Sequence, residues 1–237
     1  MLGLTCVHTA ITFVIIERRS KMNEKITVPV LLSGVSGSGK SSTFRNLDPK
    51  RTVIVNLENK ALPFKGFRDF KNINISSYKK FAQVMSELKK SEDYDYVVID
   101  SFTSLTEIIH RYCELTFSGY EVWGSYNKMI SESLLMIKDM KQQVFVTAIP
   151  EYYEVNFGEP KGFAKVRGKE WKHSIEKEFA IVLWTHLVEN DDGEVIDYQL
   201  RYKPNRHNTA KAPNEMFDGE LQNDAKMITD AIAEYYK

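Results

Sequence analysis

The sequence predicts an α/β fold in which helices flank a mainly parallel sheet and an antiparallel hairpin extends one sheet edge. Over the first 150 residues, short apolar runs alternate with segments whose apolar residues repeat at helical spacing. The first of these runs leads directly into a glycine-rich turn. The last two runs flank the turn sequence NDDG at 190–193, as expected of a hairpin.

The predicted elements follow this alternation along the chain. Buried strands are expected at 28–33, 52–57, 96–100 and 144–149. Helices are expected to open at 41–47 and to cover 78–90, 105–115 and 130–137. The hairpin strands are expected at 179–188 and 195–202, and a terminal helix at 224–236. The polar and aromatic stretch 150–175 has no clear period and is expected to be a long functional loop.

Composition excludes several classes of protein. The 237 residues are 43% hydrophobic and 27% charged, which is typical of a globular domain. Lys plus Arg and Asp plus Glu each number 32, so bulk positive charge cannot hold this chain on a nucleic acid, and such a site would have to be a local patch. The two cysteines, Cys6 and Cys113, form neither a disulfide framework nor a metal motif, which indicates a reducing, cytoplasmic location.

The first 21 residues form a distinct stretch. Residues 1–16 are largely apolar, and the positive charges follow them, whereas a signal peptide carries its charges first. The stretch is also short for a membrane span, although an anchor in reversed orientation is the alternative. We therefore expect 1–21 to be an extension without a role in the chemistry, 22–237 to be the domain, and no membrane partner.

A phosphate-binding motif follows the first predicted strand. Residues 34–41 read GVSGSGKS and match the pattern G-x-x-x-x-G-K-[ST]. Its glycines let backbone N–H groups surround phosphates, Lys40 would reach the β- and γ-phosphates, and Ser41 would ligate Mg²⁺. The predicted nucleotide-binding residues are Gly34, Val35, Ser36, Gly37, Ser38, Gly39, Lys40, Ser41 and Ser42.

Two carboxylates end neighbouring predicted strands. Asp100 ends YVVID, where it can hold Mg²⁺ beside the phosphate loop, although an Asp can also simply cap a strand. Glu58 follows TVIVNL and could polarise the water that attacks the γ-phosphate. On position alone, a surface Glu is an equally good interpretation of Glu58.

The order of these elements resembles the RecA-type P-loop ATPases. VIVNLEN at 53–59 resembles the RecA strand with the catalytic Glu, and YDYVVIDSFTSLTE at 94–107 resembles its Walker B strand and helix. The tail RHNTAKAP at 206–213 and the compact core are similar to phage-encoded annealing ATPases built on a RecA core. The resemblance covers about 26–212. It implies a RecA-like P-loop NTPase core, ATP and Mg²⁺ as ligands, and Glu58 as the catalytic base.

The chain departs from this pattern at the end of the fourth predicted strand. RecA has a Gln there and many annealing ATPases a His, whereas this chain reads VFVTAIPE at 144–151. Thr147 and Glu151 are the candidates for sensing the γ-phosphate, and the sequence does not choose between them.

A basic and aromatic segment follows this strand, where RecA has its second DNA-binding loop. Cations for phosphates beside aromatic faces for bases are typical of single-strand binding. The alternative is a solvated loop with its Trp in the core. The predicted DNA-binding residues are Lys161, Phe163, Lys165, Arg167, Lys169, Trp171 and Lys172. A second candidate is 117–126, expected to be a flexible loop whose Tyr120, Trp123 and Tyr126 either stack on bases or pack a subunit edge.

The resemblance also implies assembly. RecA-like proteins place cations after the last hairpin strand that reach the γ-phosphate of a neighbouring subunit. Lys211 is the preferred candidate and Arg206 the second, with a solvated cation as the alternative. The implied partners are further copies in a ring or filament, single-stranded DNA, and a single-strand-binding protein.

The sequence therefore predicts a DNA-stimulated Mg-ATPase in phage recombination or single-strand annealing. A P-loop kinase or phosphotransferase is the main alternative, but its usual Arg-rich lid is missing from the sequence. A nucleotide-gated scaffold with vestigial hydrolysis is the non-enzymatic alternative. An LSGGQ-like transporter signature and a GTPase N-K-x-D after the third predicted strand are both absent from the sequence.

Overall fold

The computed structural model describes residues 26–155 and 158–237, and it contains one large sheet, one small sheet and four α-helices in those residues. The strands are β1 Val30–Ser33, β2 Thr52–Asn56, β3 Lys71–Asn74, β4 Tyr96–Asp100, β5 Gln143–Ala148, β6 Pro150–Val155, β7 Glu159–Ala164, β8 Ile181–Glu189, β9 Val195–Arg201 and β10 Leu221–Gln222. The α-helices are α1 Tyr78–Lys90, α2 Phe102–Thr116, α3 Tyr120–Lys138 and α4 Ala225–Tyr235. Short 3₁₀ helices occupy Ser41–Asn46, Phe67–Asp69 and Ile175–Glu178.

The large sheet confirms the predicted fold class. Its strand order is β10-β9-β8-β1-β5-β4-β2-β3. Within this order, the neighbouring strands β8, β1, β5, β4, β2 and β3 run parallel. Strands β9 and β10 add antiparallel pairs at the β8 edge. The phosphate-loop strand β1 therefore lies inside the sheet, between β5 and β8.

Both faces of the sheet are covered, which explains why its central strands read as continuous apolar runs. In β4, Val97 and Ile99 join a hydrophobic cluster with α1, α2 and α3. Val98, between them, points to the opposite face and joins a second cluster with α4 and Phe44. Two cores on opposite faces fix the register of each strand and hence the positions of the residues at strand ends.

The helix predicted after the phosphate loop is present as a 3₁₀ helix at Ser41–Asn46. One expectation about helices is wrong. The predicted flexible loop 117–126 is mostly helical, because α3 begins at Tyr120 and Gly124 lies within it. Tyr126, two residues after Gly124, is fully buried and belongs to the apolar face of α3. Packing of this face against the core therefore stabilises the helix on both sides of the glycine.

The predicted long loop 150–175 is also wrong in its first half. Residues Pro150–Val155 and Glu159–Ala164 pair as the antiparallel strands β6 and β7, in which Tyr153 pairs with Lys161. A further unpredicted strand, β3, reads KNIN and is largely exposed at the sheet edge. Its polar composition suits an edge strand and conceals it from a search for apolar runs.

The membrane prediction concerns residues outside the described part of the chain. The predicted extension 1–21 lies among the undescribed residues, so it stays a prediction. Within 26–155 and 158–237, none of the helices combines the length and apolar character needed to cross a bilayer.

Candidate nucleotide-binding site

The phosphate loop leaves the carboxyl end of β1 in a conformation that needs glycine. A Cβ built on Gly34 would lie 1.8 Å from the Thr185 hydroxyl oxygen of β8. Gly37 and Gly39 have φ angles of +81° and +91°, which L side chains rarely adopt. The loop therefore depends on glycine at all three positions, as the motif predicts.

The Lys40 ammonium lies inside this loop. Nζ donates hydrogen bonds of 2.6 Å to the Gly34 carbonyl and 2.7 Å to the Val35 carbonyl. Burial lowers the pKa of Lys40, while the charges of Asp100 and Glu58 act in the opposite direction. A partly desolvated cation held by backbone carbonyls is well placed to bind phosphate oxygens.

Asp100 joins the loop to the carboxyl ends of β4 and β5. Ser41 donates a 3.0 Å hydrogen bond to Oδ2, and Thr147 of β5 donates a 2.5 Å hydrogen bond to Oδ1. Burial raises the pKa of Asp100, and the hydrogen bonds from Thr147 and Ser41 oppose that shift. A hydroxyl and a carboxylate oxygen in contact at a phosphate loop are oxygen donors of the kind that Mg²⁺ takes, so Ser41 and Asp100 fit this ion.

Glu58 faces the same site from the end of β2. Its backbone N–H donates to the Asp100 carbonyl at 3.3 Å, and its carboxylate pairs with Lys60 at 3.2 Å. Asn56 shapes this turn: Oδ1 accepts from the Asn59 amide and Nδ2 donates to the Lys60 carbonyl, both at 2.8 Å. The structure therefore brings together the predicted base, the predicted phosphate-binding lysine and the predicted metal-ligand pair, and it adds Asn56, whose side chain holds the turn that contains Glu58.

These groups line one cleft of about 450 Å³. Its walls are the phosphate loop, Glu58, Asp100, residues 60–63 and Tyr198 of β9. Tyr198 is not a residue that the sequence singles out, because it lies in a hairpin far from the motif along the chain. Only the position of β9 beside β8 brings it to the phosphate loop.

The two candidate sensors lie in different places. Thr147 is fully buried, and its hydroxyl is hydrogen-bonded to Asp100. Glu151 accepts a hydrogen bond from Tyr153 and lines a separate cavity beside the basic segment. Of the two, only Thr147 contacts a residue of the nucleotide cleft.

Part of the basic segment lines a second cavity, of about 330 Å³. Four exposed cations surround it, namely Lys165, Arg167, Lys169 and Lys172. Two carboxylates, Glu107 and Glu151, lie in the same wall, so positive charge predominates. Lys161 and Phe163 belong to β7, where Phe163 stacks on His173 with ring centroids 4.2 Å apart.

Two aromatic residues proposed to stack on bases are core residues instead. Trp171 is 7% exposed and packs in the cluster on the α1–α3 face of the sheet. Tyr126 is fully buried and donates a 2.9 Å hydrogen bond to the Arg167 carbonyl. Neither ring face is open to a base. Trp123 is 44% exposed, and Tyr120, at 97%, is open to solvent at the start of α3.

A third cavity, of about 480 Å³, lies between the other two and shares lining residues with each of them. It shares Glu58, Lys60 and Ile149 with the nucleotide cleft, and Lys165 with the basic cavity. Thr103 of α2 lies at the junction, where its hydroxyl accepts from the Ile149 amide at 3.1 Å and donates to the Lys165 carbonyl at 3.3 Å. The basic segment is therefore connected to the carboxyl edge of the sheet through hydrogen bonds.

The two finger candidates lie outside the nucleotide cleft of their own chain. Lys211 forms an antiparallel backbone bridge with Val182 of β8, with hydrogen bonds of 2.7 and 2.9 Å. The Arg206 guanidinium pairs with Glu159 of β7 at 3.0 Å. Neither side chain lines the cleft around Lys40, so any role there requires a second copy of the chain.

A glycine-rich loop at the end of one parallel strand, with carboxylates at the carboxyl ends of two further strands of the same sheet, defines a P-loop nucleotide-binding protein. The profile of a family described as an AAA domain matches residues 27–214, and the chain belongs to that family. The fold is that of a RecA-like P-loop ATPase. None of the curated proteins matches this chain. Among solved structures, a KaiC-like protein from the hyperthermophilic archaeon Pyrococcus horikoshii is 16% identical with a TM-score of 0.47, over 73% of this chain and 76% of that one.

Proposed function

We propose that this protein hydrolyses ATP with Mg²⁺ and couples the hydrolysis to single-stranded DNA, in phage recombination or single-strand annealing. The nucleotide part is supported by the cleft that contains Lys40, Ser41, Glu58 and Asp100. The DNA part is supported by one observation, the cavity at Thr103, which shares Glu58 with the nucleotide cleft and Lys165 with the basic cavity.

The residues of the cleft have distinct roles in this proposal. Loop amides and Lys40 bind the phosphates, and Ser41 and Asp100 hold Mg²⁺. When bound, Mg²⁺ neutralises phosphate charge. Glu58 orients the attacking water and takes its proton, and the products are ADP and inorganic phosphate. Lys60 pairs with the Glu58 carboxylate at 3.2 Å and thereby holds it at the mouth of the cleft.

The basic cavity fits a strand of nucleic acid better than a small metabolite. Its cations Lys165, Arg167, Lys169 and Lys172 line an open surface, as backbone phosphates require. Phe163 and Tyr153 are the half-buried rings beside it, so they replace Trp171 and Tyr126 as the aromatic candidates. Because bases stack on any aromatic face, binding is expected to depend weakly on DNA sequence.

Assembly completes the proposal. Lys211 of one copy would stabilise charge at the γ-phosphate bound by its neighbour, with Arg206 as the second choice. Hydrolysis would then require a ring or filament of this chain, on DNA that a single-strand-binding protein also covers.

The test is the rate of ATP hydrolysis with and without single-stranded DNA. We expect DNA to stimulate the wild type, and both K40A and E58Q to abolish the stimulated rate. A triple variant K165A/K169A/K172A should keep the basal rate and lose the stimulation. The triple variant K65A/K79A/K90A, which removes as many exposed lysines elsewhere, is the matched control and should behave as wild type.

Two results would contradict the proposal. Turnover that depends on Lys40 but ignores DNA would favour a phosphotransferase acting on a small acceptor. Negligible turnover under both conditions, with ATP still bound, would favour a nucleotide-gated scaffold.

A further inference from the structure

Asn223, which directly follows β10, contacts the phosphate loop with its side chain. It is 2% exposed. Nδ2 donates a 3.0 Å hydrogen bond to the Gly39 carbonyl, and Oδ1 accepts one from the Thr43 hydroxyl. One buried amide therefore holds both ends of the loop segment that contains Lys40, Ser41 and Ser42.

The backbone around Asn223 adds to this attachment. Its carbonyl accepts from the Arg45 guanidinium at 2.8 Å, and its N–H donates to the Tyr198 carbonyl at 3.2 Å. The next residue, Asp224, accepts from the Asn46 amide at 2.6 Å. Two consecutive residues near the C-terminus thus contact the segment 39–46 and fasten it to β9.

The segment needs such support because of its own structure. Residues Ser41–Asn46 form a 3₁₀ helix, whose hydrogen bonds are poorer than those of an α-helix. No side chain caps the start of that helix. The orientation of its amides therefore depends on contacts with other elements.

Gly39 shows how closely the two segments fit. A Cβ at this position would lie 2.7 Å from Asn223 Nδ2 and 2.9 Å from the Tyr198 ring. The backbone of the phosphate loop therefore lies so close to Asn223 that a side chain at position 39 would collide with it.

We propose that Asn223 is a positioning residue for nucleotide binding, which holds Gly39 and Thr43 so that the loop presents its amides and Lys40 to the phosphates. The proposal rests on ATP binding in the cleft, but not on the DNA role. Asn223 lies beyond residues 27–214, the part of the chain that matches the family profile. The geometry therefore assigns a nucleotide-site role to the C-terminal segment.

The test is the dissociation constant of the non-hydrolysable analogue AMP-PNP with Mg²⁺, measured by calorimetry. We expect N223A to raise it about tenfold, which corresponds to about 1.4 kcal/mol. The turnover number at saturating ATP should change less than about threefold, because Asn223 does not touch Glu58 or Asp100. The control is Q142A, which removes an equally buried amide with two 2.9 Å hydrogen bonds, to Leu88 and Ser91, and should bind as wild type.

A double-mutant cycle separates positioning from general destabilisation. T43V alone should also weaken binding. The double variant N223A/T43V should bind at most about twofold more weakly than N223A, since both substitutions remove the same contact between Asn223 and Thr43. Independent, additive effects would overturn the proposal. So would wild-type affinity in N223A.

The isosteric N223D covers the case in which N223A does not fold. It keeps the shape but cannot donate to the Gly39 carbonyl, so we expect weaker binding, and wild-type affinity would overturn the proposal. If the wild type itself bound no AMP-PNP, the nucleotide function would fail. If the wild type bound AMP-PNP and the Asn223 variants bound it equally well, the role of Asn223 would fail and the nucleotide function would stand.

Discussion

The hydroxyl of Thr147 donates a hydrogen bond of 2.5 Å to Oδ1 of Asp100. Thr147 is the second-last residue of the central strand β5 and is fully buried, so this bond orients the carboxylate from inside the sheet. The other oxygen, Oδ2, accepts from Ser41 in the phosphate loop. Asp100 is therefore held between the sheet and the loop, and Thr147, a candidate sensor, is hydrogen-bonded to the carboxylate that we propose holds Mg²⁺.

Replacement of Thr147 by Val should weaken the use of Mg²⁺. The substitution keeps the shape but leaves Oδ1 of Asp100 buried without this donor. Loss of a partner that orients a metal ligand typically lowers metal affinity about tenfold or more. We expect the Mg²⁺ concentration for half-maximal ATP hydrolysis to rise accordingly. T229V, which removes another buried hydroxyl in α4, is the control and should leave the Mg²⁺ dependence unchanged.

Burial of Asp100 should make stability depend on pH. Its pKa is raised in the folded protein by burial, so on acidification the folded state takes up this proton before the unfolded state does. This carboxylate therefore opposes folding at neutral pH, and the opposition is relieved as the pH falls through the raised pKa toward 3.8. Without Mg²⁺, we expect D100N to have a higher Tm than the wild type at pH 7.

The same experiment can be checked by its trend with pH. The Tm difference between D100N and the wild type should shrink as the pH is lowered toward 3.8. Asp197 provides a contrast of opposite sign, because the Tyr198 amide lowers the pKa of its carboxyl. D197N should therefore be slightly less stable than the wild type at pH 7, and its deficit should shrink on acidification. A Tm difference for D100N that does not vary with pH would contradict the prediction.

The sequence predicts the nucleotide cleft well because its main residues belong to local patterns. Gly34–Ser41 form one loop, and Glu58 and Asp100 end apolar runs that are buried on both faces. Parallel strands then bring these ends to one edge of the sheet. Each step needs only neighbouring residues and a general rule of topology.

Asn223 and Tyr198, two of the three residues that sequence reasoning misses, act over long separations. Asn223 lies 184 residues from Gly39, and no local pattern marks its contact. Asn56 and Tyr198 act through turns and pairings that only the folded chain defines. The error at Trp171 has a different origin, since a Trp among lysines is compatible with stacking on a base or with packing in the core, and only the tertiary structure distinguishes them.

Trp171 should contribute to stability and not to DNA affinity. It is 7% exposed within the core, and truncation of a buried Trp costs about 3–5 kcal/mol. We expect W171A to lower the free energy of unfolding by about that amount in urea denaturation. W171F, which keeps most of the buried ring, should bind single-stranded DNA like the wild type. A large loss of DNA affinity in a stable W171F would show that the ring contacts DNA.

Gly34 should be the least tolerant position of the phosphate loop. The Cβ of an alanine there would overlap the Thr185 hydroxyl oxygen at 1.8 Å, and β8 is fixed beside β1. We expect G34A to lose ATP binding, measured by calorimetry. In G37A the added Cβ would meet no atom within 4 Å, so only the cost of a positive φ remains. G37A should therefore weaken binding less than G34A, and the reverse order would contradict this account of the loop.

Lys211 should act on the neighbouring copy, which mixing of two inactive variants can detect. E58Q lacks the base in its own cleft but retains Lys211, whereas K211A has the complementary defect. If Lys211 completes the site of a neighbour, a K211A cleft that faces an E58Q copy contains every required group. We therefore expect mixtures to hydrolyse ATP faster than either variant alone, with a maximum at intermediate ratios. Mixtures of K40A with E58Q are the control, because no interface there contains an intact cleft. Mixtures of K211A with E58Q that are as inactive as this control would show that Lys211 does not complete the site of a neighbour.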